Sequence, residues 1–200
     1  MRICVDAVPL LFRSAGIKNY LYYWFIHLQE EATTEKILAF PWMPRPGELD
    51  HNRSMAGGLG TLLRLGALHF FNLPFNHGMD LLGGNPDVFH SCKLLNPPRK
   101  ARLTATIQDL TAWLFPDTHT GGVIRFERAF AECILRRADG LIAASRNTRD
   151  DAARVLGLDP EKIHVIYHGV AAAYYSVTPV EARAARARYR LDRPYILYIG

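Results

Sequence analysis

Gln108 and Asp109 form a polar pair directly after the β-prone run 103–107. At a strand exit, an amide and a carboxylate can hydrogen-bond a hydroxylated ligand, and the carboxylate could act as a base. The other use of Asp109 is to cap a turn. Residues 14–18 follow the first β-branched run and carry one glycine, Gly16, ahead of a helical pattern. Their backbone N–H groups could face an anion at the helix start, or form an ordinary strand-to-helix turn. Ser145 and Thr148 fit a helix N-cap, and the same hydroxyls could hold a substrate; the two uses compete for the same donors. His168 follows another β-prone run, either exposed or ligand-facing. His164 and His168 are four apart but straddle a strand end, so they share no face for a metal. His119 reads as a surface histidine, and Glu127, Glu132 and Asp139 as the solvated side of a helix. The G-x-G-x-x-G fingerprint, G-x-S-x-G and G-x-x-x-x-G-K are all missing, which disfavours a nicotinamide enzyme, a nucleophilic-serine hydrolase and a P-loop enzyme.

Elements must hold these groups in place. Residues 2–5 make a β-branched run ending in Asp6 and Pro9, as a buried parallel strand does. Ile17, Leu21, Trp24 and Leu28 then recur at helical spacing, and Tyr20, Tyr22, Phe25 and Ile26 make that helix apolar nearly all round. Residues 36–40 read as a second strand, 42–60 as a long connection, and 60–71 as a helix. Strands follow at 87–91 and 103–107. Thr120 caps a helix whose inner face is Val123, Phe126, Phe130, Ile134 and Leu135. Residues 141–144 form a strand, 147–156 a helix that Gly157 ends, and 162–166 another strand. An Ala- and Arg-rich helix at 179–189 and an apolar strand at 194–200 complete the pattern. Strands alternating with helices predict an α/β fold: a doubly wound, mostly parallel, Rossmann-like sheet. Ligands of such sheets bind at the carboxyl ends of the strands, so the loops after each strand are where chemistry is expected.

Composition bounds the rest. The 200 residues are 49% hydrophobic and 22% charged, with a mean hydropathy of -0.04. That is a globular composition and excludes a disordered tail or fibrous repeat. The formal charge of +5 is scattered, which suits an anionic partner or a membrane-surface acceptor without requiring nucleic acid. Cys4, Cys92 and Cys133 form no C-x-x-C pair, so they predict neither a zinc site nor a disulfide framework. Asp6 interrupts the first apolar run too early for a signal peptide. A cytoplasmic protein with reduced thiols is the expectation.

Several stretches, in this order, resemble the amino-terminal half of GT-B fold glycosyltransferases of family 4. They are GIKNY at 16–20, TIQDLTAWLFPD at 106–117, ADGLIAAS at 138–145 with Thr148 and Asp151, PEKIHVIYHGV at 160–170, and PYILYIG at 194–200. The resemblance covers most of the chain except residues 42–86. It implies two Rossmann-like domains around a cleft, the first holding the acceptor and the second the nucleotide-sugar. It places residues 1–178 in an acceptor-binding domain, and 179–200 in an interdomain helix and the first strand of a second domain. The nucleotide-sugar is then a co-substrate, with no cofactor and no metal. The implied acceptor site comprises Gly16, Lys18, Tyr20, Ser145, Thr148 and His168, with Gln108 and Asp109 as the catalytic pair. Where the family usually has His before this Asp, the chain has Gln108, which hydrogen-bonds a hydroxyl but takes up no proton near neutral pH. The expected activity is transfer of a sugar to a hydroxyl acceptor with retention, lost without the second domain. A carbohydrate- or lipid-head-group-binding module without turnover is the alternative, and a non-catalytic α/β partner domain a third reading. The apolar run 195–199, lacking its own sheet, is expected to promote self-association.

Overall fold

The computed structural model describes the chain except residues 15, 44–45, 74–78, 80–84, 171–173 and 198–200. It divides into two compact units, Met1–His168 and Gly169–Gly200.

The first unit is built on six parallel strands: β1 (Arg2–Asp6), β2 (Lys36–Phe40), β3 (Val88–Ser91), β4 (Arg102–Ile107), β5 (Gly140–Ala143) and β6 (Ile163–Val165). Their spatial order is β2-β1-β3-β4-β5-β6, and all five pairings are parallel. This is the α/β, Rossmann-like sheet that the alternating pattern predicts. The helices are α1 (Gly16–Glu31), α2 (Gly58–Phe71), the short α3 (Thr111–Leu114), α4 (Gly121–Cys133) and α5 (Arg146–Leu156). The core runs along the sheet from Val5, Phe89 and Ala105 to Leu141 and Ala143, with Leu21 and Phe25 from α1 and Phe130 from α4 against it. Burial on this scale supplies the main favourable free energy of folding.

Local signals place several helix ends. Thr120 accepts a hydrogen bond from the Val123 amide at the start of α4. Ser145 does the same from Thr148 for α5, and Gly157 closes that helix at φ +64°, a left-handed conformation that glycine adopts without a Cβ clash. The faces needed correction. Val123, expected inside, is 42% exposed, because the helix it opens buries only Phe130 and Ala131. Ile134 and Leu135 are buried, but they lie just past the end of α4. On α2, Leu68 and Phe71 face inward while Leu59, Leu62, Leu63 and Phe70 face solvent.

In the second unit, Thr178 and Glu181 form a reciprocal capping box at the start of α6 (Pro179–Arg188), none of whose residues is buried. The strand expected at 194–200 is not formed over its described part, 194–197. No strand among the described residues pairs with it, and Ile196 is fully exposed. Tyr198, Ile199 and Gly200 lie outside the described residues.

Order β2-β1-β3 means that the chain leaves β1 toward one side for β2 and returns to the other side for β3. The crevice of such a sheet opens at that reversal, between the carboxyl ends of β1 and β3. Asp6 stands there, with no exposed surface. Its Oδ2 accepts from the amides of Cys92, Lys93 and Leu94 at 2.9, 2.5 and 2.7 Å, and its Oδ1 from Val8 at 3.1 Å. Burial pushes its carboxyl above the ordinary aspartate value, and the four amide donors oppose that push. Four donors converge on one side chain, so the arrangement serves the carboxylate. Asp6→Ala would leave four amides without their partner and is expected to lower stability in urea titrations by about 3 kcal/mol or more. Asp6→Asn keeps one accepting oxygen and should cost less, about 1–3 kcal/mol.

Candidate functional site

A cleft of about 410 Å³ opens beside the carboxyl ends of the strands. Gly16 and Ile17 from the start of α1 border it, with Cys92 and Lys93 after β3, and Thr106, Gln108 and Asp109 at the end of β4. Trp113, Glu127 and His168 also line it. Each loop follows a strand and lies where a doubly wound sheet leaves its crevice.

Among the residues expected in the site, Gly16, Gln108, Asp109 and His168 line this cleft. Ala15, part of the expected anion-facing loop, lies outside the described residues. Tyr20 sits just behind the wall: its hydroxyl is 3.2 Å from Thr106 Oγ1, and its ring stacks on His168 with centroids 4.5 Å apart. Burial raises the Tyr20 phenol above its ordinary value, so the hydroxyl stays protonated. Desolvation lowers the His168 imidazole below its usual value, which favours the neutral ring at pH 7.

Lys18 does not line the cleft. It is completely buried, and its Nζ donates to the carbonyls of Phe12 at 3.1 Å and Arg53 at 2.5 Å. It ties the turn before α1 to the loop that leads into α2. Burial pulls its ammonium below the ordinary lysine value, with Asp50 opposing. Helical spacing could not expose this, because one of the two carbonyls that satisfy the charge comes from a loop 35 residues away.

Ser145 and Thr148 are also absent from the lining and are committed to the helix cap. Ser145 Oγ accepts from the Thr148 amide at 3.0 Å and lies 2.9 Å from Thr148 Oγ1, which reaches the Gln108 carbonyl at 3.5 Å. The pair therefore braces the exit of β4 from behind. Asp109 caps the turn into α3. Its Oδ1 accepts from the Thr111 amide at 2.8 Å and from the Thr111 hydroxyl at 2.5 Å, while the residue remains exposed in the cleft. Among the described residues no hydrogen bond occupies its Oδ2. His119, read from sequence as a surface histidine, is partly exposed and has its Nε2 3.0 Å from Thr111 Oγ1.

Two cleft residues, Lys93 and Trp113, were not among the site residues expected from sequence, and a third, Glu127, was assigned to a solvated face. Lys93 places Nζ 3.4 Å from Glu127 Oε1 and 4.3 Å from the centre of the Phe126 ring. Glu127 is half-buried in the cleft rather than on a solvated face, unlike Glu132, which pairs with Arg136 in solvent. Asp139, also assigned to that face, accepts from the Leu103 amide at 2.7 Å and fixes the start of β4. Trp113 adds an aromatic surface of the kind that lines small-molecule sites. The rule that loops after strands carry chemistry points to Lys93; nothing in the local pattern marks Glu127 or Trp113.

His90 is the third kind of surprise, a nearly buried imidazole on β3, 3% exposed. Its Nδ1 lies 3.0 Å from Thr104 Oγ1 and its Nε2 3.1 Å from Thr106 Oγ1. Among the described residues no group of three or more His, Cys, Asp or Glu could hold a metal, and the three cysteines are free thiols. Burial pushes Cys4 up to about 12 and Cys92 well above its ordinary value, so neither thiol is a nucleophile near neutral pH. No helix among the described residues is long and apolar enough to cross a membrane.

The parallel sheet, its reversal at β1 and β3, and a polar cleft at the carboxyl edge define a doubly wound α/β protein. The model of Glycosyltransferase Family 4 matches residues 15–174, which spans the α1 start, the β4 exit and His168. The chain belongs to glycosyltransferase family 4, and its function is of the glycosyltransferase kind. No curated protein matches it.

Desolvation holds the His90 imidazole at about 4, against 6.5 for an exposed ring. Between those values the unfolded chain binds a proton that the folded chain refuses, so stability falls as the pH drops through this window. The loss should reach about 3 kcal/mol near pH 4. Urea midpoints measured from pH 7 to pH 4 should show this slope, and His90→Gln should flatten it.

Proposed function

We propose that the chain is the acceptor-binding part of a retaining glycosyltransferase, holding a hydroxylated acceptor, most simply a sugar, in the cleft beside β4. The observation that carries this is the placement of Gly16, Gln108, Asp109 and His168 around one cleft at the sheet's carboxyl edge. The walls offer what a polyol needs: an amide, a carboxylate oxygen without a hydrogen-bond partner among the described residues, a neutral imidazole and an indole face. They do not offer what a nucleoside diphosphate needs. Among the described lining residues the one permanently cationic side chain is Lys93, and it is already engaged by Glu127 and the Phe126 ring. Neutralising a departing diphosphate calls for more positive charge than that, and we assign that work to a second domain.

In such a reaction the acceptor oxygen forms the new bond to the anomeric carbon as the bond to the phosphate oxygen breaks. The acceptor's proton passes to the departing phosphate, so Gln108 need not be a base. Asp109 Oδ2 accepts the hydrogen bond of an acceptor hydroxyl and orients it, while Gln108 fixes a neighbouring hydroxyl. The contribution of this chain is positioning.

Titration of the isotope-labelled chain with methyl glycosides and short oligosaccharides should shift the amide signals of Gly16, Gln108 and Asp109 and the His168 ring. The same chain incubated with nucleotide-sugars should transfer nothing. Binding confined to another surface would sink the acceptor reading, and turnover by the chain alone would sink the division of labour. Asp109→Asn keeps an oxygen for the Thr111 turn but removes the charge. It should weaken sugar binding about tenfold while stability changes by less than about 1 kcal/mol; equal losses of both would reduce Asp109 to a turn cap.

A further inference from the structure

Behind the cleft runs a hydrogen-bond chain that acceptor contact does not account for. His90 on β3 touches Thr104 and Thr106 on the neighbouring β4, at 3.0 and 3.1 Å. Thr106 Oγ1 also meets the Tyr20 hydroxyl at 3.2 Å. Trp24, one turn along α1, covers the His90 ring at 4.6 Å between centroids and stacks at 6.3 Å on Tyr20. Thr106 itself lines the cleft, as does His168.

Donors and acceptors give this chain a direction. A neutral imidazole has one N–H and one lone-pair nitrogen. The Thr104 hydroxyl donates to the Phe89 carbonyl at 3.5 Å, which leaves its oxygen to accept from His90 Nδ1–H. Nε2 is then the lone-pair nitrogen and accepts the Thr106 hydroxyl proton. The Thr106 oxygen in turn accepts from the Tyr20 hydroxyl. A proton donor at each step points inward, from Tyr20 through Thr106 and His90 to the backbone of β3. Among the described residues no hydrogen bond holds the His168 ring, so its stack on Tyr20 is what orients it.

We propose that His90 is a positioning residue of the cleft: by accepting the Thr106 hydroxyl proton it locks Tyr20, and the Tyr20 ring then holds His168 at the cleft wall. The functional weight of this rests on the acceptor reading above, while the geometry does not. Two substitutions of His90 test the role. Glutamine can set an amide oxygen near the place of Nε2 and keep the link to Thr106. Asparagine reaches no further than the place of Nδ1 and keeps the link to Thr104 alone. Asparagine also leaves more space than glutamine, so Thr106→Val, which keeps the volume and loses the hydroxyl, and Thr106→Ser, which does the reverse, separate the hydrogen-bond link from space filling.

The test uses ring carbon–proton spectra of the full chain at pH 7.5. The His168 signal is assigned with His168→Asn, and Tyr20→Leu marks its position without the stacked ring. His90→Gln should leave the His168 signal near its original place, and His90→Asn should move it most of the way to the Tyr20→Leu position. Thr106→Val and Thr106→Ser probe the same link, and do so even if His90→Asn does not fold: the first should unstack His168, and the second, which retains the hydroxyl, should not. Equal displacement by Asn and Gln, or an unmoved His168 signal in Thr106→Val, overturns the proposal. The sugar titration is read separately, so a cleft that binds no glycoside would fail the acceptor reading and leave this result standing.

Discussion

One carboxylate governs the geometry of the crevice. The sheet reverses its winding between β1 and β3, and at that point two strand ends diverge and leave backbone amides without sheet partners. Asp6 takes four of them, three from the loop after β3 and one from the turn after β1. Buried amides lacking acceptors would each cost about 1–3 kcal/mol, so the loop after β3 can take its path only because this side chain is there. That path is what puts Lys93 at the cleft.

The opposite wall is set by a different device. β4 ends at Ile107, and the Ser145–Thr148 cap of α5 reaches across to the carbonyl of the next residue, Gln108. A helix cap therefore doubles as a brace for the residue expected to touch the ligand. Asp109 closes the turn into α3 with Oδ1 while the residue lines the cleft. Thr106 likewise lines the cleft while it holds His90, so structural contacts and cleft walls share the same side chains. On α1, the buried Lys18 ammonium on two loop carbonyls secures the approach to Gly16.

Much of this was open to a reader of the sequence. The six strands lie where β-branched runs alternate with helical patterns, and Thr120, Ser145 and Gly157 announce helix ends by their own chemistry. Those signals are local: a cap or a left-handed glycine depends on partners within four residues. The cleft positions of Gln108, Asp109, Gly16 and His168 were likewise legible, because a parallel strand delivers whatever follows it to the carboxyl edge. The terminal apolar run shows the limit of such reasoning, since β propensity describes a strand only where a sheet exists to receive it.

By itself, then, the sequence determined the alternation of elements, the parallel sheet and the edge at which ligands meet it, because hydrophobic period and capping chemistry act over a few residues. Only the tertiary structure decided which polar groups are tools and which are struts. Lys18 and Glu127 illustrate the exchange: a charge read as ligand-facing is buried on one nearby carbonyl and one from a distant loop, and a charge read as solvated lines the cleft beside Lys93. His90 is the same case, its tautomer set by threonines 14 and 16 residues along the chain. The role of a polar side chain is fixed by the partners that satisfy it, and when those partners come from other strands and loops, no periodicity along the chain can name them.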